Sequence, residues 1–199
     1  MTRSKFVAFL SLCIGLSGCA STKVETSGVA AKRPLCQTDG EQLSALALWG
    51  PVWRPNQKSP PLREAAAQRG LEQFLADSGC FSKVTIRRLP GERVALVPSD
   101  QEVFALAAGE KPAPDRALVI TVRELGPIVR LLGSPALVEG GTEVVLEIKV
   151  LDVRAAESMA NFRTHWQNGG AFVLKGVKTL EQDMRSALEA AFAPAARSR

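Results

Sequence analysis

Three strand-like stretches in the second half of the chain, two of them with apolar residues at alternate positions, restrict the fold more than any other feature. Residues 116–125 are dense in Leu, Val and Ile. In 141–153, Val144, Leu146, Ile148 and Val150 face one way, and Glu143, Glu147 and Lys149 face the other. In 159–167, Ala160, Phe162, Thr164 and Trp166 point inward, and Asn161, Arg163, His165 and Gln167 point outward. A period of two is that of a strand with one buried face. Such strands need a cover, and two helical patterns supply it. Ala67, Leu71, Phe74, Leu75 and Ser78 recur at three- and four-residue spacing in 62–78, with Gly79 placed to cap that helix. Val177, Leu180, Met184, Leu188, Ala191 and Phe192 form a stripe over 177–193, where Thr179 with Gln182 resembles a capping box. The expected architecture is α+β: an antiparallel or mixed sheet of four to six strands, with the two main helices packed on one face.

The remaining elements are shorter. Residues 42–54 are largely apolar and fit a first strand before the Pro-rich loop 55–61. Residues 81–89 alternate as a strand, 90–92 turn the chain, and 93–97 return as a short strand. Residues 99–108 fit a short helix capped by Ser99 or Asp100, and 110–115 a loop. Gly140-Gly141 and Gly169-Gly170 read as turns. No repeat is visible, so residues 36–194 are expected to form one domain, with 195–199 a disordered tail.

The first residues carry a different signal. Arg3 and Lys5 precede an apolar run over 6–16, and Leu16-Ser17-Gly18-Cys19 follows. The run is too short to span a bilayer as a mature helix. The four residues ending in Cys19 resemble the lipobox of bacterial lipoproteins. That resemblance implies that 1–18 is a signal peptide and that Cys19 becomes the mature N-terminus, carrying acyl chains such as palmitate. It also implies a membrane partner held through the lipid anchor. Residues 19–35 then read as the acylated Cys with a polar, flexible tether, fourteen residues of which reach roughly 20 Å. Ala20 and Ser21 lack the acidic residue of an inner-membrane retention signal. The expected location is therefore the periplasmic face of the outer membrane.

Charge and cysteines narrow the function. The formal charge is +5, but Arg3 and Lys5 leave with the signal, so the mature part carries +3. Its basic residues are mixed with Asp and Glu, and nucleic acid is not an expected partner. Cys13 lies in the signal and Cys19 is the lipid site, which leaves Cys36 and Cys80. An even pair in an oxidising compartment predicts a disulfide, closing a loop of about 45 residues and contributing about 4 kcal/mol in the chain-entropy model. The alternative is two buried free thiols. Two isolated Cys and the single His165 supply too few soft ligands for a metal, and no Gly-rich loop precedes a helix. Neither metal nor cofactor is expected.

Two further segments carry a family resemblance. Leu71-Glu-Gln-Phe-Leu-Ala-Asp-Ser-Gly-Cys-Phe-Ser-Lys-Val84 runs a helix into Ser-Gly and then a Phe-Ser-x-Val strand, and Asp115-Arg-Ala-Leu-Val-Ile-Thr-Val122 follows as a central strand. The pair is similar to a group of periplasmic lipoproteins that includes ABC-transport auxiliary, curli-secretion and Pel-polysaccharide lipoproteins. The resemblance implies a small α/β domain that assembles with partners in envelope transport or secretion, with no catalytic residues to carry over.

The residues themselves leave several roles open. His165 with a serine and an acid would support hydrolysis, and Asp115, Glu124, Glu139, Glu143, Glu147 and Asp152 could supply a carboxylate pair. Solvent-facing strand positions explain them more simply, so an enzyme is not expected and a periplasmic hydrolase is the last alternative. Trp49, Trp53 and Trp166 read either as core or as an exposed glycan or protein contact. Residues 125–141 are too apolar for a routine loop. Either they form a protruding hairpin whose Ile128, Val129, Leu131, Leu132, Leu137 and Val138 meet an envelope partner or a second copy, or they are strand extensions packed on the domain's own core. An accessory or assembly subunit of a transport or secretion system is the expected function. A cell-wall or polysaccharide-binding lipoprotein is the alternative.

Overall fold

The computed structural model describes residues 20–29, 31, 35–36, 43–131 and 138–193. The strands among them are β1 (Ser21–Val29), β2 (Leu43–Pro51), β3 (Phe81–Arg88), β4 (Arg116–Leu131), β5 (Val138–Asp152) and β6 (Glu157–Ala171). They form one mixed sheet in the order β1-β6-β5-β4-β2-β3. Strand β2 runs parallel to β3 and β4, and the other pairings are antiparallel. The helices are α1 (Pro60–Asp77), α2 (Gly91–Ala95), α3 (Asp100–Ala108) and α4 (Leu180–Phe192), the last preceded by a 3-10 turn at Val177–Thr179. The expected α+β class is the one observed.

The two long helices share one face of the sheet, as their stripes require. Leu71, Phe74 and Leu75 of α1 and Leu180, Met184 and Leu188 of α4 are buried with Leu118, Ile120, Val144, Leu146, Ile148 and Phe162. Each large aliphatic side chain removed from water there contributes roughly 1.5–3 kcal/mol. Trp49 and Trp166 belong to this core, and Trp53 packs against it. Helix α1 starts on Pro60 and Pro61, whose fixed φ suits a first turn. It stops where Gly79 takes φ +67°, a conformation that a Cβ disfavours. On the opposite face, α2 and α3 cover only part of the sheet. Val94, Val103 and Ala107 pack there on Leu46, Leu48, Ala117 and Val119. The Ser99 hydroxyl accepts from Glu102 N–H, while the Ser99 N–H donates to the Glu102 carboxylate (2.8 Å), which completes a capping box for α3.

Four expectations are corrected. Residues 93–97 are not a strand. Leu89 N–H makes a last bond to the Trp49 carbonyl, and then Arg93 and Val94 N–H turn back to the Pro90 carbonyl, so Val94 is buried from a helical turn. The segment read as a tether contains β1, which pairs along its length with β6. All nine of its residues are exposed. Backbone pairing on the open edge of β6 holds it, not burial of a side-chain face. The glycine pairs are not turns. Gly140 and Gly141 of β5 lie opposite Gly170 and Gly169 of β6, and a Cβ on Gly169 would meet the Gly140 carbonyl and the Gly141 backbone. The chains approach so closely that only glycine fits. Thr179 caps no backbone group of α4, and its hydroxyl donates to the buried Asp183 carboxylate (2.8 Å).

Candidate functional site

Strand β2 ends at Pro51, opposite Val122, whereas β4 and β5 run on together as far as Leu131 and Val138. The result is a two-stranded arm that outruns the sheet on that side. Its root is marked by a bulge between Val122 and Glu124, which turns the ladder and frees Glu124 to face the loop after β2. Arg63, from the first turn of α1, reaches this point. Its Nη1 donates to Glu124 (3.1 Å) and to the Leu125 carbonyl (2.5 Å), and its Nε to the Lys58 carbonyl (2.7 Å). Gln57 (2.6 Å) and Arg54 (3.2 Å) complete the shell of Glu124. The Arg63 and Glu124 side chains are both 10% exposed, so this is a buried, fully bonded pair. Gly126 lies against the guanidinium, in space that a Cβ would take.

Beyond this root, Ile128 and Val138 are half-buried, and Val129 and Leu131 are 62% and 73% exposed. The extensions are therefore neither folded back on the core nor polar. Leu132 and Leu137 lie outside the described residues, as do Cys19 and the signal segment. The arm has neighbours that sequence reading missed. Phe172 N–H donates to the Val138 carbonyl (2.7 Å), and Phe172 and Leu174 are 59% and 78% exposed. Their signal was present: 171–174 is an aperiodic apolar run after a glycine pair.

Of the candidate catalytic residues, the fold brings His165 and Glu143 together and pairs four of the other acids with arginines. The His165 ring Nε2 lies 2.6 Å from Glu143 and 3.0 Å from the Gln167 amide, and no serine is among its partners. Asp115, Glu124, Glu147 and Asp152 are not free strand-edge acids. They pair with Arg154, Arg63, Arg123 and Arg116 respectively. For Asp115, burial pushes the carboxyl up, but the Ser44 N–H (2.7 Å), the Ser44 hydroxyl (2.9 Å) and Arg154 more than offset it and hold it below the usual aspartate range. On the face that α2 and α3 leave open lies a groove of about 600 Å³, lined in part by Thr121, Glu147, Lys149, Asn161 and Arg163. Cys36 and Cys80 are joined in a disulfide. It lies at the end of the sheet away from the arm, where Phe81 starts β3 beside Leu43.

No family model and no curated protein matches the chain. Solved structures with a similar layout include the PelC dodecamer from Paraburkholderia phytofirmans, at 12% identity and TM-score 0.40, covering 87% of this chain and 99% of that one. Lipoprotein GNA1162 from Neisseria meningitidis is 12% identical at TM-score 0.41, covering 75% and 98%. The protein CT253 from Chlamydia trachomatis is 12% identical at TM-score 0.44, covering 75% and 91%. Likenesses this distant carry no residue, role or partner across to this chain.

Proposed function

We propose that this chain is an envelope lipoprotein, anchored through Cys19 at the periplasmic face of the outer membrane, and that it works without catalysis as an accessory or assembly subunit of a transport or secretion system. The observation that carries this reading is the β4–β5 arm. It presents Val129 and Leu131 to solvent, with the exposed Phe172 bonded to the Val138 carbonyl beside them. Clustered exposed apolar side chains mark contact surfaces, for a membrane or for a protein. The Cys36–Cys80 disulfide fits an oxidising compartment.

The test is co-purification of the full-length protein from crosslinked membranes. Recovery of ABC-transporter or secretin subunits supports the reading. A soluble, unmodified protein with no envelope component attached overturns it. The groove beside Thr121, Glu147 and Arg163 favours a second reading, a cell-wall or polysaccharide binder, because its mixed polar lining suits sugar hydroxyls. Recovery of peptidoglycan or polysaccharide alone favours that alternative.

A further inference from the structure

The start of β1 and the exposed apolar residues lie at the same end of the sheet. Ser21 pairs with Gly169, Gly169 with Gly141, and Gly141 with Ile128, which makes one row across β1, β6, β5 and β4. Beyond that row lie Val129 and Leu131 on β4 and Phe172 after β6, with the exposed Leu174 two residues further along the chain. Leu131 pairs with Val138, whose carbonyl accepts from Phe172. Cys19 precedes Ser21 by two residues, a span of at most about 7 Å. With β1 paired to β6, no slack tether separates Cys19 from this end. A bilayer that holds Cys19 therefore lies close to this end of the sheet.

We propose that this end of the sheet lies against the bilayer, with Val129, Leu131, Phe172 and Leu174 seated in the headgroup layer beside the acyl chains of Cys19. The proposal rests on the acylation of Cys19 and names the occupant of the arm. Arg130, exposed, stands between Val129 and Leu131 on β4. Cations interleaved with apolar residues are what an interfacial surface carries, the stems lying in the acyl boundary and the charges on lipid phosphates. Glu139, opposite Arg130, is half-buried. Exposure alone does not select this end. Leu96 is 85% exposed, but it adjoins Val97 in the groove near Val119. Val119 precedes Val129 by ten residues along β4, about 33 Å at strand rise.

The test uses full-length protein, isolated from membranes and reconstituted into phosphatidylethanolamine/phosphatidylglycerol vesicles that contain lipids brominated high in the acyl chains. Leu131→Trp, Leu174→Trp and Leu96→Trp place a reporter at side chains that are 73%, 78% and 85% exposed, so the fold is left intact. The native chain's signal is subtracted. Emission from Leu131→Trp and Leu174→Trp is expected to fall about twofold, because residues about 5–10 Å into the headgroup boundary come within reach of the bromines. Emission from Leu96→Trp is expected to stay unchanged. Protein that floats with the vesicles while either arm-end reporter stays unquenched overturns the proposal and leaves the anchor standing. A blue shift without quenching shows a protein or a second copy on the patch and also overturns it. Equal quenching of Leu96→Trp shows general adsorption and does the same. Protein that fails to float, with Cys19 unmodified by mass spectrometry, overturns the anchor and the proposal together.

Discussion

Arg63 and Glu124 set the root of the arm, and their energetics follow from burial. Removing one member of a buried, hydrogen-bonded pair strands the other charge, at a cost of about 3 kcal/mol or more. Glu124→Ala is therefore expected to lower the unfolding free energy by that amount, read from urea unfolding. The double variant Arg63→Met/Glu124→Met is expected to lose much less, because no buried charge is left unpaired and Arg54 is solvent-exposed. A double variant that loses as much as Glu124→Ala, or more, would show that a stranded buried charge is not what the single variant costs. Asp115 gives a pH-dependent prediction. Its folded pKa is depressed, so its contribution is present in full above the ordinary value of 3.8 and is lost as pH falls through the lower folded value. Ser44→Ala is expected to cost about 1–2 kcal/mol near neutrality and progressively less in acid, as followed by circular dichroism. None of this was legible in sequence. Arg63 sits in an ordinary helical pattern and Glu124 in a strand, and partners 61 positions apart leave no local trace.

At the scale of elements, α1 and α4 lie close because Gly70 lacks a side chain. A Cβ there would meet the Glu181 carbonyl and the Met184 side chain. Gly70→Val is expected to push the helices apart and cost about 1–3 kcal/mol as overpacking, read from denaturant midpoints. Strand β1 is the contrasting case. Its side chains are all exposed and it pairs on one edge, so little but backbone bonding holds it. Its amides are expected to exchange with deuterium well before those of β5, which is paired on both sides. Matching protection in the two strands would contradict this. Both long helices and the central strands could be read from their periods. Strand β1 could not, because a strand held by its backbone needs no alternation of apolar side chains.

Across the whole molecule, the disulfide and the arm occupy opposite ends of the sheet. The bridge spans 44 positions, and cutting it frees the unfolded chain by about 4 kcal/mol in the entropy model. Reduction is expected to lower the thermal midpoint sharply, and Cys80→Ala is expected to reproduce the loss without reductant. A midpoint unmoved by either would show that the bridge holds no stability. The sequence by itself determined the α+β class, the faces of β5 and β6, the helix that Gly79 ends, and the pairing of Cys36 with Cys80. Each rests on a period or a residue type, and those are local properties of a chain. Only the tertiary structure decided that β1 adds an edge strand beside β6, that Arg63 reaches the β4 bulge, and that Leu131, Phe172 and the start of β1 lie at one end. Those depend on strand register between distant segments, and register is carried by backbone hydrogen bonds that every residue except proline can make.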